Sequence, residues 1–157
     1  MMRKEKNRSI GKIIAFPPFY FFAGIVLSLL FYFIFPEYNL LTFPFNLFGF
    51  LILVTGLLLI IKNTVVFNSK KTTLQNEQPS SFIQDGFYKY SRNPMYLGGL
   101  IFHIGLSILT GNIISIINPI LFFLMMDFIC IPYEEEIMIK TFKDEYRSYK
   151  KKVRRWL

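Results

Sequence analysis

The chain has 157 residues, of which 53% are hydrophobic, yet it carries 18 lysines and arginines against 10 acidic residues and a net charge of +8. High apolarity beside high basicity excludes intrinsic disorder and argues against an ordinary water-soluble domain. The single cysteine, Cys130, excludes an intramolecular disulfide and any cysteine-rich metal site, and the single histidine, His103, excludes a multi-histidine metal site. The length fits one domain, so we expect a single membrane domain over residues 1–157.

Two uncharged runs in the first half of the chain predict two membrane spans. Residues 13–35 carry no charge, and as a helix they would extend about 34 Å, enough to cross a hydrocarbon core of about 30 Å. A second uncharged run covers residues 38–61, and Lys62 follows it. The first run could be a cleaved signal peptide, but its apolar part exceeds about 15 residues and no small-x-small cleavage site follows, which favours an uncleaved helix.

The second half of the chain predicts two further spans. Asp127 is the only formal charge between Asn93 and Tyr133, a stretch too long for one span. We expect the break at Gly111, which can end one helix, and Asn112, which can cap the next. The fold class is therefore all-α: an integral membrane bundle of four transmembrane helices, at about 13–35, 45–66, 93–110 and 112–132.

The positions of the basic residues predict the orientation of the chain. With four spans, all 18 lie on one side: in the N-terminal stretch, at Lys62 near the end of the second span, in the loop 67–92 and in the tail. The opposite loops, near 36–44 and 110–112, have none. The positive-inside rule then places both termini in the cytoplasm, and we expect a bacterial or archaeal inner membrane. Because membrane topology explains the basic tail, the tail gives no argument for a nucleic-acid partner.

The tail from Glu134 onward is expected to form a cytosolic amphipathic helix over residues 134–155. Its apolar residues recur at helical spacing: Ile139, Phe142, Tyr146, Tyr149, Val153 and Trp156. Such a basic helix can lie on the anionic inner leaflet. It can also pack onto the cytosolic ends of the spans and close a site, and both interpretations can hold.

A short segment before the third run contains a candidate site. Over residues 86–99 it reads GFYKYSRNPMYLGG. Asn93 can cap a helix and Pro94 fits its first turn. Arg92 is then expected at the membrane surface, where a guanidinium can hold a carboxylate or phosphate through two hydrogen bonds. The Gly98-Gly99 pair permits close approach by another helix or by a flat ligand.

Three adjacent carboxylates, Glu134, Glu135 and Glu136, follow the fourth run at the same membrane surface. They either form a solvated helix start or meet a cationic or hydrogen-bond-donating group. Since they lie on the helix that follows the third span, they could face Arg92. An arginine and carboxylates around a glycine pair could hold a zwitterionic small molecule.

The order of these motifs resembles the membrane methyltransferases related to isoprenylcysteine carboxyl methyltransferase and phospholipid N-methyltransferase. The resemblance covers about residues 64–157. It rests on the pattern GxYxxxRNPxYxG, then EE after a short helical hairpin, then FxxxYxxYxxxVxR. In this chain the pattern falls on Gly86, Tyr88, Arg92, Asn93, Pro94, Tyr96, Gly98, Glu134, Glu135, Phe142, Tyr146, Tyr149, Val153 and Arg155.

The resemblance implies S-adenosylmethionine as cofactor, held between the hairpin and the tail helix, and a lipophilic or lipidated acceptor in the membrane. Arg92, Glu134 and Glu135 would be the catalytic residues. The implied cofactor contacts are Ser80, Ser81, Phe82, Ile83, Tyr88, Asn93, Pro94, Met95, Tyr96 and Glu135. Many relatives have histidine where this chain has Asn93. Relatives that methylate carboxylates have an arginine at the position of Ile131, which argues against an isoprenylcysteine carboxylate as acceptor.

Several alternatives stay open from the sequence. The acceptor can be a carboxylate, a phospholipid amine or a similar group, and an amine would need a base, for which Glu134 and Glu136 are candidates. His103 and Asp127 lie at similar depth and could pair across the hairpin. An NADPH-dependent membrane reductase, or a small four-helix transporter or structural protein, are the rival classes.

Overall fold

The computed structural model describes residues 16–69 and 82–157, which form five α-helices and no β-strand. The helices are α1 Pro17–Ile34, α2 Leu47–Ser69, α3 Pro94–Thr110, α4 Ile117–Met125 and α5 Ile131–Lys152. Short 3₁₀ turns precede α3 and α4, and a π-helical turn over Met126–Cys130 joins α4 to α5. The all-α prediction is confirmed for the described part of the chain.

Three helical segments are long and apolar enough to cross a membrane. They are Pro17–Ile34, Leu47–Asn68 and the run Ile113–Lys152, which contains α4 and α5 and, at 40 residues, is longer than a single span requires. Their outward faces expose large apolar side chains, such as Phe33 at 74%, that need a lipid environment. These helices indicate a multi-pass membrane protein. Helix α3, with 17 residues, is apolar but shorter, so the count of four spans stays a prediction.

Helices α2 and α3 pack backbone against backbone because glycines lie at their crossing. A β-carbon added to Gly56 would lie 2.5 Å from the backbone nitrogen of Phe102, and one added to Gly105 would lie 2.3 Å from that of Leu53. Gly98 faces α2 in the same way. Small residues that allow such close approach are typical of helix pairs in membranes. For Gly98, this contact fits the interpretation as a helix-packing residue.

Replacing Gly56 with leucine should therefore force α2 and α3 apart. The backbone of α3 cannot move aside as a side chain can, so we expect a loss of about 3 kcal/mol or more in unfolding free energy. Thermal unfolding in detergent measures the effect. Thr55→Leu is the matched control, since Thr55 is exposed on the same helix. Equal melting temperatures for the two variants would contradict the packing argument.

The break between α3 and α4 lies where the sequence predicts it. Gly111 ends α3 in the left-handed conformation (φ 68°), and the side chain of Asn112 accepts a hydrogen bond from the Ile114 backbone nitrogen at 3.0 Å. The amide of Asn112 also donates to the carbonyls of Phe31 and Phe35, at the end of α1. These bonds tie together the two loops that contain no basic residues.

The tail does not form the single continuous helix predicted over 134–155. Helix α5 runs from Ile131 to Lys152, but Lys143 has φ 46° and ψ −117°, so the helix axis breaks there. Val153 is extended and begins the C-terminal segment, residues 153–157. Val153 and Trp156 therefore do not continue the helical stripe, and that part of the prediction is wrong. The backbone at Lys143 redirects the tail toward the start of α3.

Candidate functional site

A cavity of about 610 Å³ lies where α1 and α3 begin and α2 ends. Its other walls come from residues 82–93, from Phe122 of α4 and from α5. Pockets for small molecules and cofactors typically measure 300–1,000 Å³ and have mostly apolar walls with a few polar groups. This cavity has the size and the lining for a ligand of that class.

Most of the site residues predicted from the sequence line the cavity. Pro94 begins α3 and is buried, but it does not line the cavity. Ser80 and Ser81 lie outside the described residues. The predicted residues on the cavity wall are Phe82, Ile83, Tyr88, Arg92, Asn93, Met95, Tyr96, Glu134 and Glu135. The fold thus brings residues 82–96 and the start of the acidic run to one place, although the two are about 40 residues apart in sequence.

An ion cluster centred on Glu135 forms the polar wall of the cavity. The Arg92 side chain, 8% exposed, lies 2.8 Å from one carboxylate oxygen of Glu135, and Lys150 lies 2.6 Å from the other. Arg155 approaches the same carboxylate at 3.6 Å. A buried charge is costly unless a charge of opposite sign lies beside it, and Arg92 and Glu135 each have such a partner. Arg92 and Glu135 therefore contact each other. The sequence allowed this contact as one of several arrangements.

Arg92 also holds the C-terminal segment. Its guanidinium donates to the carbonyls of Lys150 (2.9 Å) and Val153 (3.3 Å), and its backbone nitrogen donates to the carbonyl of Arg154. The Lys150 carbonyl is free because it lies in the last turn of α5, whereas the carbonyls of Val153 and Arg154 lie beyond the end of the helix. Arg92 therefore links the loop before α3 to the end of the tail.

Asn93 occupies the N-cap position of α3, but its side chain does not cap the helix. Its amide instead donates to the carbonyl of Arg155 at 2.9 Å. Ser91 approaches the same carbonyl at 3.4 Å. The predicted helix start is confirmed, whereas the predicted capping bond is wrong because the tail competes for the side chain.

The tail packs over the cavity and closes one side of it. Tyr146 and Tyr149 are buried and line the cavity, and the Tyr149 hydroxyl donates to the Tyr88 carbonyl at 2.6 Å. The ring of Phe82 packs against both tyrosines. Of the two interpretations of the tail, this packing fits a helix that closes a site.

Glu134 faces the cavity, whereas Glu136 does not. The Tyr96 hydroxyl donates to Glu134, and both residues line the cavity. Burial raises the pKa of Glu134 above its ordinary value of 4.5, the bond from Tyr96 opposes this, and the charge of Glu135 adds to it. Glu136 is exposed and pairs with Lys140. Of the two candidate bases, Glu134 is the one that a ligand in the cavity can reach.

The pair between His103 and Asp127, which the sequence allows, does not form. Asp127 lies 3.0 Å from a guanidinium nitrogen of Arg155 and accepts from the Trp156 indole at 2.9 Å. His103 is fully buried among aromatic rings, including Phe122, and neither ring nitrogen has a hydrogen-bond partner among the described residues. The returning C-terminal segment supplies the partners of Asp127 instead.

Several residues of the cavity were missed by sequence reasoning. Met138 of α5 belongs to no recognisable motif. The residues that α1 and α2 contribute to the cavity form no motif that distinguishes them from lipid-facing residues. These residues are Pro17, Pro18, Phe21, Phe22, Ile60, Thr64, Phe67 and Asn68.

The three long apolar helices indicate a multi-pass membrane protein, and the cavity at one end of its bundle has the size of a small-molecule pocket. Residues 45–145 match the phospholipid methyltransferase family. The chain belongs to this family, and membership supports an enzyme that transfers a methyl group to a membrane-associated acceptor.

Two curated proteins share part of the chain. An uncharacterized protein from Haemophilus influenzae is 40% identical over 63 residues, which is 40% of this chain and all of that protein. A protein-S-isoprenylcysteine O-methyltransferase from Schizosaccharomyces pombe is 38% identical over 74 residues, which is 45% of this chain and 30% of that enzyme. No solved structure matches.

Proposed function

We propose that this protein transfers a methyl group from S-adenosylmethionine, bound in the cavity, to a lipophilic acceptor. One observation carries the proposal: residues 82–96 and α5 line a single cavity of about 610 Å³. The methyltransferase resemblance assigns the cofactor to these same segments. Family membership supports the reaction type.

The residues on the cavity wall fit this cofactor. The buried Nε of Arg92 has no hydrogen-bond partner among the described residues, so it can donate to a carboxylate. Glu135 offers a negative charge for an ammonium or for ribose hydroxyls. The rings of Tyr88, Tyr146 and Tyr149 offer aromatic faces for adenine and for a sulfonium through cation–π attraction.

The apolar half of the cavity suits an acceptor that comes from the bilayer. Helix α1 packs mainly on α3 and α4, whereas α2 packs mainly on α3, so α1 and α2 form separate walls. Phe22 and Phe67 line these walls, and Phe22 is also 64% exposed on the outer surface of α1. A hydrocarbon chain could pass between α1 and α2 while its head group stays in the cavity.

The charges in the cavity favour an acceptor that releases a proton, such as a lipid amine. Among the described residues that line the cavity, Arg92 is the only basic one, and Glu135 already neutralises it. A carboxylate acceptor would therefore lack a cation, in agreement with Ile131 at the position of the expected arginine. When bound, S-adenosylmethionine would supply an electrophilic methyl group, and Glu134 would receive the proton of the acceptor.

The same proposal includes the topology. Helix α3 would be the fourth span, both termini would lie in the cytoplasm, and the cavity would open at the cytoplasmic surface of a bacterial or archaeal inner membrane. The basic residues Lys62, Lys89 and Arg92 lie at the cavity end of α2 and α3, which supports this orientation.

Binding and turnover of the purified protein in detergent test the proposed function. S-adenosylmethionine should raise the melting temperature, whereas NADPH should not. Radiolabelled methyl transfer into a total lipid extract, followed by identification of the product, should label a lipid amine. A shift with NADPH alone would favour the reductase class, and no shift with either compound would favour a protein that binds no nucleotide cofactor.

A further inference from the structure

Asp127 has contacts that the proposed function does not use. It lies in the π-helical turn Met126–Cys130, and its side chain is 19% exposed. One carboxylate oxygen accepts from both Arg155 and Trp156, and the backbone carbonyl of Asp127 also accepts from Arg155 at 3.3 Å. The π turn breaks the regular ladder of the helix, and such turns are frequent at functional sites.

The two partners of Asp127 belong to the C-terminal segment, residues 153–157. Trp156 packs its ring on Phe123 of α4, with 5.0 Å between the ring centroids. These contacts hold the segment against the junction of α4 and α5. The carbonyl of Arg155 is then in place to accept from the Asn93 amide, on the cavity wall.

Arg155 connects Asp127 to the ion cluster of the cavity. Its guanidinium lies 3.0 Å from Asp127 and 3.6 Å from Glu135. Glu135 is already paired with Arg92 and Lys150. Without Asp127, the guanidinium of Arg155 would lose its shorter ion pair and would move onto the Glu135 carboxylate. Asp127 thus keeps a third cation from closing on Glu135.

We propose that Asp127 is a positioning residue of the cofactor site, which acts by anchoring Arg155 and Trp156. The anchor fixes the C-terminal segment against residues 91–93 and leaves Glu135 available to a ligand in the cavity. This inference rests on the proposed function, because it assigns Asp127 to the binding of S-adenosylmethionine.

Asp127→Asn in the full-length protein tests the anchor before any cofactor is added. The variant keeps an oxygen for the indole but loses the ion pair with Arg155. Trp156 is the only tryptophan of the chain, so its fluorescence reports the anchor directly. The emission should shift to the red and acrylamide should quench it more strongly than in the wild type. Asp144→Asn is the matched control, since Asp144 pairs with Arg147 on the exposed surface.

Titration with S-adenosylmethionine tests the positioning role. Asp127→Asn should raise the Kd by about tenfold and the KM for the cofactor in parallel, while kcat at saturating cofactor changes less than about twofold. Arg155→Gln should raise the Kd less, because it loses the anchor but also removes the cation that would otherwise close on Glu135. The double variant should be no worse than either single variant, because both residues act along one path.

The outcomes separate this inference from the proposed function. Wild-type emission and wild-type Kd in Asp127→Asn would overturn the positioning role alone, as would a shifted emission with unchanged Kd. Additive losses in the double variant would show that the two residues act independently and would also overturn it. A wild-type protein that binds no S-adenosylmethionine would overturn both.

Discussion

Replacing Arg92 with alanine is expected to weaken S-adenosylmethionine binding by about 100-fold, as measured by calorimetry or thermal shift in detergent. A hydrogen bond to a charged group contributes about 1.5–3 kcal/mol, and about 2.8 kcal/mol corresponds to 100-fold in affinity. We expect the upper end of that range, because the Arg92 guanidinium would hold the cofactor carboxylate and also contacts Glu135 at 2.8 Å. The variant also loses the bonds to the carbonyls of Lys150 and Val153, which releases the tail.

Two further variants separate an effect on cofactor binding from an effect on folding. Glu135→Gln keeps the shape of the side chain and removes its charge, so a folded Glu135→Gln protein should lose affinity as well. Arg92→Lys keeps the charge but cannot reach Glu135 and the two tail carbonyls together, so it should bind less well than the wild type. Wild-type isotherms for both Arg92→Ala and Glu135→Gln would contradict the site assignment.

The membrane helices and one helix break could be predicted because their signals are local. Uncharged runs of sufficient length marked α1 and α2, and the structure places these helices within a few residues of the predicted bounds. Gly111 and Asn112 ended one helix and began the next through backbone and side-chain preferences that need no tertiary context. Residues 13–15 of the first predicted span lie outside the described residues.

The path of the tail could not be predicted, because tertiary contacts determine it. Helical spacing extended the apolar stripe to Trp156, and nothing in the local sequence around Lys143 indicates a left-handed residue. The break places Tyr146 and Tyr149 over the cavity, and burial of these two large rings stabilises it. The partner of Asp127 was missed for the same reason, since Arg155 reaches it only after the tail has turned back.

Only the polar half of the candidate site could be predicted from the sequence. The polar half has charges and turn residues in a recognisable order, and its members Arg92 and Glu135 meet in the structure. The apolar half comes from helix ends, where cavity residues such as Phe67 are of the same type as lipid-facing ones such as Phe33. Phe21 and Phe22 are adjacent and chemically identical, and both contribute to the cavity.

Replacing Glu134 with glutamine is expected to abolish most methyl transfer while leaving S-adenosylmethionine binding nearly unchanged. General bases contribute about 10²- to 10⁴-fold to reaction rates, so we expect a loss in kcat of at least 100-fold with a lipid amine as acceptor. Glu136→Gln is the matched control, because Glu136 is exposed and pairs with Lys140 outside the cavity. Its kcat should equal that of the wild type.

If Glu134 is a general base, kcat should increase as the pH rises. Burial raises the pKa of the Glu134 carboxyl, so the group is protonated and inactive at acidic pH and becomes an ionised base as the pH rises through that raised value. Wild-type kcat should rise over this range, whereas the residual activity of Glu134→Gln should not follow that rise.

Tyr96→Phe should shift the pH profile toward higher pH. The Tyr96 hydroxyl donates to Glu134 and favours the ionised carboxylate, so its removal raises the pKa of Glu134 further. A profile that stays in place would show that the carboxyl of Glu134 does not govern the rate. Full activity in Glu134→Gln would remove the need for a base altogether, and the acceptor would then be a group that attacks without losing a proton, such as a carboxylate.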